Sequence, residues 1–217
     1  MQDQGDTITL KPKTHIKTLG IYIDENLNWS KQVKIVKRNL HRINHLLPKQ
    51  LRLNLYNAIV TPLFNYCDII WNGCNAKERK NLQIVQNFAA KSITGHRKYD
   101  SATNSLCQLQ LLNLHQRRKL HEVVFVHKAL KNQSTQNICE EYQNCISTVN
   151  TRNSTTGKLT MPSHNTAKFE RSCLHRTIKS WNDIPQDIPK DNIRSHKNQL
   201  QKYLIKATYG NNLNPQN

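Results

Sequence analysis

Residues 51–71, LRLNLYNAIVTPLFNYCDIIW, constrain the fold of this 217-residue chain more than any other stretch, because nowhere else is apolar character so dense over so many consecutive positions. Leu55, Tyr56, Ile59, Leu63, Phe64, Tyr66, Cys67, Ile70 and Trp71 cover more of a helical wheel than the single stripe of a surface helix. The pattern predicts a central buried helix packed on several sides. A membrane span is excluded, since Arg52, Asn54, Asn57, Asn65 and Asp68 interrupt the stretch and a span takes about 20 predominantly apolar residues. Pro62 removes a backbone donor and clashes with the preceding turn, which predicts a kink or break near Ile59 to Thr61. Asp68 is expected to be a core-helix residue without chemistry.

The segments around this stretch change period. Residues 7–10 and 15–24 are β-branched runs either side of Lys11-Pro12-Lys13, predicting a hairpin, with Gly20 at a bulge or at a close approach of another backbone. Trp29, Val33, Val36, Leu40, Ile43 and Leu47 then recur every three or four residues, one apolar face of a helix capped by Ser30. Leu82, Val85, Ala89 and Ile93, with Ile84 and Phe88 beside them, give another helix ending at Gly95. A short helix follows over 101–109. A longer one over 114–131 has Leu120, Val123, Val124, His127 and Leu130 inward and Arg117, Arg118 and Lys119 outward. Residues 132–157 are polar and nearly without periodicity and read as a linker. Beyond them come an extended piece at 158–161, a helix over 167–181 with Phe169, Cys173 and Ile178 inward, and a last helix over 193–208. The expected architecture is mainly α, a helical bundle with a short amino-terminal β-hairpin and a smaller carboxy-terminal helical segment. The expected boundaries are 1–28 for the hairpin, 29–131 for a basic helical domain, 132–157 for the linker and 158–217 for the carboxy-terminal segment.

Charge narrows the function. The formal net charge is +18, and a compact particle this positive repels itself unless something anionic, most simply a nucleic-acid backbone, screens it. Opposite the apolar face of the first helix run Lys31, Lys34, Arg38, His41, Arg42 and His45, with Lys37 beside them, and no acidic residue occurs between Glu25 and Asp68. A run of charge is ordinarily a solvated face. The lack of any local counter-charge makes Lys31, Lys34, Lys37, Arg38 and Arg42 candidate polyanion contacts. Arg97 and Lys98, in the basic loop His96-Arg97-Lys98-Tyr99, join them as a weaker candidate, because a cation beside an aromatic can hold phosphate and stack a base.

Catalytic chemistry is hard to place in this sequence. Metal-dependent phosphoryl or nucleotidyl transfer needs carboxylates close enough to share the metal. Asp24-Glu25 and Glu140-Glu141 are the only adjacent acidic pairs, and both are expected to be solvated. No P-loop, G-x-S-x-G or H-E-x-x-H motif occurs. Ten histidines and six cysteines show no zinc-ligand spacing. The expectation is therefore no catalytic, cofactor-binding or metal-binding residue and no cofactor. Reduced thiols and the absence of an apolar leader are expected of a cytoplasmic or nuclear protein without membrane contact.

Several short matches resemble one family. Lys17-Thr18-Leu19-Gly20-Ile21, Leu27-Asn28-Trp29, Leu55-Tyr56, Pro62-Leu63, Tyr66-Cys67, Trp71, Leu82-Gln83 and Gln86 through Ile93-Thr94-Gly95 resemble the region just after the catalytic palm in reverse transcriptases of non-LTR retrotransposons, the LINE and jockey-like elements. Arg152-Asn153, Pro162, Arg171-Ser172 and Trp181-Asn182-Asp183-Ile184-Pro185, followed by Lys197 and Leu200, resemble the closing segment of the same polyproteins. His196 stands where an aromatic is expected before the lysine. The resemblance implies a carboxy-terminal fragment of an RNA-directed DNA polymerase, inactive alone, whose catalytic aspartates lie upstream in a Tyr-any-Asp-Asp turn. The hairpin would correspond to the primer-gripping edge of the palm and the basic helix to the thumb. The implied partners are RNA, DNA or hybrid duplex and the missing palm and fingers. The alternative is a helical protein- or RNA-interaction module that no longer serves a polymerase.

Overall fold

The computed structural model describes residues 13–44, 49–146, 157–185 and 187–210, with only the backbone of 39–44, 49 and 50. The fold is mainly helical, with one two-stranded antiparallel hairpin at the amino-terminal end. Strands β1 (His15–Thr18) and β2 (Ile21–Asp24) pair with Thr18 opposite Ile21. The connecting residues Leu19 and Gly20 both have positive φ, 48° and 81°, which is the two-residue turn whose twist matches that of the strands. Gly20 thus makes the turn instead of a bulge, and the two described strands both fall within 15–24. The predicted pairing partner at 7–10 lies outside the described residues. The close approach at this turn is made by a side chain, since Tyr66 Oη donates to Leu19 O at 2.6 Å.

A short loop aims the first helix. Asp24 Oδ1 accepts from the backbone N–H of Asn26 and Asn28, and Oδ2 accepts from Trp29 N at 2.9 Å. Burial works against this charge, but the three donors outweigh it and hold the carboxyl below its ordinary value. Helix α1 (Ser30–Asn44) starts directly after Trp29, so Ser30 is its first helical residue and not a cap outside it. Trp29, Val33 and Val36 are buried as the spacing predicts; the side chains of Leu40 and Ile43, and all of Leu47, lie outside the described residues.

The stretch expected to be one central helix is broken twice. After α2 (Lys49–Leu55), residues Tyr56–Val60 form a π-turn, and Thr61 N donates to Tyr56 O. This is the break predicted from Pro62, which opens α3 (Thr61–Asn65) near its amino-terminal end, where its missing N–H is harmless. The second break was not predicted. Tyr66 is extended and Cys67 is left-handed, φ 51°, before α4 (Asp68–Trp71). The carbonyl that this bend releases is used, because Trp71 Nε1 donates to Tyr66 O at 2.8 Å. The stretch is also not covered on all sides. Tyr56, Val60, Phe64 and Trp71 are buried, but Ile59, Tyr66 and Ile70 are exposed because the breaks rotate them off the packed face.

Helix α5 (Ala76–Thr94) is capped by Asn75, whose side chain accepts from Glu78 N, and closed by left-handed Gly95, φ 82°. It packs against α1, and Leu82, Val85 and Ala89 complete a first core with Trp29, Val33, Val36, Tyr56, Phe64 and Trp71. Ile84 and Phe88 stay exposed. After α6 (Ala102–Gln108), helix α7 (Leu114–Leu130) leaves this core at Leu114 and enters a second one through Leu120, Val123 and Val126.

The second core also gathers the carboxy-terminal elements. Helix α8 (Gln136–Gln143) forms where composition reads as linker, because Cys139 and Tyr142 supply one buried edge to α7; residues 147–156 lie outside the description. The helix expected over 167–181 is two, α9 (Ala167–Glu170) and α10 (Cys173–Asn182), since Ser172 caps the second by accepting from His175 N. Phe169 is consequently exposed and Cys173 half-buried, while Ile178 is fully buried. Helix α11 (Ile193–Tyr209) lays Leu200 and Leu204 on α7. His196 is fully buried, its ring 4.7 Å from His127 and 6.2 Å from Trp181. No helix among the described residues is long and apolar enough to cross a membrane.

Candidate nucleic-acid interface

The face of α1 opposite Val33 and Val36 carries the cations. At about 100° per residue, Lys31, Lys34 and Arg38 fall on one stripe, and all three are exposed; Lys37 lies to one side and is half-buried. The backbone of Arg42 continues the helix, but its side chain lies outside the described residues. None of the ion pairs among the described residues involves Lys31, Lys34, Lys37 or Arg38.

The hairpin extends this stripe. Lys31 Nζ lies 4.5 Å from the Tyr22 ring centroid, and Lys17 Nζ lies 5.6 Å from it. Lys17 stands directly across the ladder from Tyr22. Tyr22 N donates to Gln32 Oε1 at 3.2 Å, which fixes the hairpin against the helix. Lys17 escaped the reading of the sequence because only the turn at Leu19-Gly20 sets the register that brings it beside Tyr22.

Arg97 and Lys98 are exposed in the loop after α5, next to Tyr99, which is 92 % exposed, with Lys98 Nζ 5.9 Å from its ring centroid. Asp100 supplies a local carboxylate there, accepting from Arg97 N. No hydrogen bond, ion pair or ring contact among the described residues joins this loop to α1.

The basic run on α7 goes the other way from expectation. Arg118 is 5 % exposed, with its guanidinium 4.7 Å from the Trp71 ring centroid. Arg117 Nε donates to Asn65 Oδ1 at 2.9 Å, and Lys119 pairs with Asp183 at 3.5 Å. Asp68 is likewise more than an apolar helix's interruption: it is buried, and its Oδ2 lies 2.5 Å from His121 Nδ1. Among the described residues, no group of three His, Cys, Asp or Glu side chains is placed to hold a metal ion. Asp24 and Asp68 are each engaged, the first by backbone N–H groups and the second by His121, and they are not partners of one another.

Comparison with protein-family models, curated proteins and solved structures finds no match to this chain.

Proposed function

We propose that this chain binds duplex nucleic acid without regard to sequence, through the exposed stripe of α1 and the Lys17–Tyr22 pair beside it. The observation that carries the reading is the exposure of Lys31, Lys34 and Arg38 on one helical face with no ion-pair partner among the described residues. From Lys31 to Arg38 the helix rises about 10 Å, the axial length of about three nucleotides of one strand. Ammonium and guanidinium groups so spaced neutralise successive phosphates and release their counterions, without any group aimed at a base edge. Tyr22 lends the stripe an apolar, stackable surface at its hairpin end.

In origin, we read the chain as the post-palm region of a non-LTR retrotransposon reverse transcriptase. This rests on the ordered resemblance from residue 17 to residue 200, and it is supported by the basic helix directly following the hairpin. On that reading the chain holds template and primer while another polypeptide supplies the metal-binding aspartates. Fluorescence anisotropy on an RNA–DNA hybrid, a DNA duplex and a single strand tests the binding. Comparable affinity for the two duplexes, independent of sequence, is expected. Binding to neither duplex at low salt would refute the reading and favour the interaction-module alternative. Primer extension with Mg²⁺ or Mn²⁺ tests the origin, since extension abolished by Asp24→Ala or Asp68→Ala would contradict an inactive fragment.

A further inference from the structure

Apart from the α1 stripe, residues of α5, α7, α9 and α10 line a cavity of about 340 Å³, and a second of about 530 Å³ shares Asn72, Arg79 and His115 with it. Basic side chains reach the first from separate helices: Arg79 from α5, Lys119 from α7, Arg176 and Lys179 from α10. Two of the carboxylates on its wall are committed. Glu122 accepts from Asn72 Nδ2 at 2.7 Å and from Ser180 Oγ at 2.6 Å, with Arg176 Nη2 3.8 Å away, and Asp183 faces Lys119. Glu170 is the third. Arg79 and Lys179 are left exposed, with no ion pair among the described residues.

The buried donors point the same way. Arg118, 5 % exposed, lines the second cavity beside the Cys74 thiol, and its Nη2 has no hydrogen-bond acceptor among the described residues. Arg176 Nη2 donates to Ile69 O and the side chain lies against the Cys173 thiol, but Nε and Nη1 have no acceptor among the described residues. A buried guanidinium keeps its desolvation cost at every N–H without an acceptor, and its charge adds to the positive potential of the cavities beside it. His115, on the wall common to both cavities, is held below its ordinary pKa first by burial and then by Lys119 and Arg79. The part of that shift due to Lys119 and Arg79 marks a positive potential at this wall, which favours an anion.

We infer that this cavity binds a phosphate group, as inorganic phosphate or a phosphate monoester, held by Arg79, Arg176 and Lys179. The volume suits a small ligand. The planar, exposed Arg79 guanidinium matches phosphate oxygens two at a time, while Arg176 adds positive charge at the wall and Lys179 a point charge at the rim. The site is independent of the α1 stripe and stands whether or not that stripe binds nucleic acid.

Isothermal titration of the full chain with inorganic phosphate, against sodium chloride of matched ionic strength, tests this. One site per chain is expected, unchanged in the Lys31→Gln, Lys34→Gln, Arg38→Gln triple variant. Affinity should fall at least tenfold in Arg79→Gln, Lys179→Gln, whose exposed positions leave melting without phosphate as in the parent. Absence of heat beyond the chloride control, or undiminished affinity in the double variant, would overturn the inference. The same titration of the triple variant with a 5′-phosphorylated and a 5′-hydroxyl dinucleotide separates the sources. Tighter binding of the phosphorylated dinucleotide than of free phosphate would identify a strand end, and equal binding a free phosphate. Equal binding of the two dinucleotides would overturn the site, because it would then read any phosphodiester.

Discussion

Helices α1 and α7 both carry clustered cations, and the two use them oppositely. On α1, Lys31, Lys34 and Arg38 face solvent without ion pairs among the described residues. On α7, Arg118 is buried over Trp71 and Arg117 is held by Asn65. The cause lies in what surrounds each helix. Helix α1 lays one face on the first core and leaves the other to water. Helix α7 runs from the first core into the second and is buried along two lines, Leu114, Arg118, Glu122 and Val126 on one, Leu120, Val123 and His127 on the other. A cation on such a helix must find a π face or an acceptor, since burying it bare is costly. The charge of Arg117 and Arg118 is therefore structural, and the exposed charge on α1 is free to meet a polyanion.

The contrast breaks most easily in the interior. Glu122→Ala removes the carboxylate shared by Asn72, Ser180 and Arg176. It should cost about 3–5 kcal/mol, the usual result of stranding a buried charge. Urea unfolding measures this, and a loss under about 1 kcal/mol would mean that the network is solvated. Next comes Arg118→Ala, expected to cost about 2 kcal/mol or more through the lost ring contact and packing.

Acidification sharpens the comparison further. His127 and His196 are both held below the ordinary histidine value, first by burial, against the hydrogen bonds to Lys190 O and Pro189 O that pull the other way. A depressed folded-state pKa means that stability is fully present above the unfolded value of about 6.5 and is lost as pH falls below it, by at most about 1.4 kcal/mol per pH unit for each histidine. Melting followed from pH 7.5 to pH 5 should show that decline, and His196→Phe should make it shallower. A decline that is unchanged in His196→Phe would place the sensitivity elsewhere. The smallest expected effect is on α1: Lys34→Gln with Arg38→Gln should change stability by less than about 0.5 kcal/mol, as for exposed positions in general.

The same contrast accounts for what was legible in the sequence. The α1 stripe could be read because one apolar face and one basic face alternate at the helical period; Pro62 and Gly95 announced a break and a helix end through their own backbone chemistry. The two buried lines on α7 blur any single period, so Arg118 read as surface although it stands four residues from both Leu114 and Glu122. The bend at Cys67 had no glycine or asparagine to mark it, and only the docking of Trp71 and Tyr66 explains it. Helix α8 hid because two buried residues suffice where α7 already supplies the opposing surface. Of the candidate site, Lys31, Lys34 and Arg38 were visible from spacing. Lys17 needed the strand register, and the cavity needed side chains from distant helices.

The claim that α1 is the interface is tested most directly by the salt dependence of duplex binding for the parent and for Lys31→Gln, Lys34→Gln, Arg38→Gln. With about four phosphates engaged by Lys17, Lys31, Lys34 and Arg38, log K against log salt should fall with a slope of about −3 to −4. The triple variant should flatten that slope by two to three units, with unchanged helicity and melting. Equal affinity and equal slope for the two proteins at every salt concentration would contradict the account and leave the stripe a solvated face.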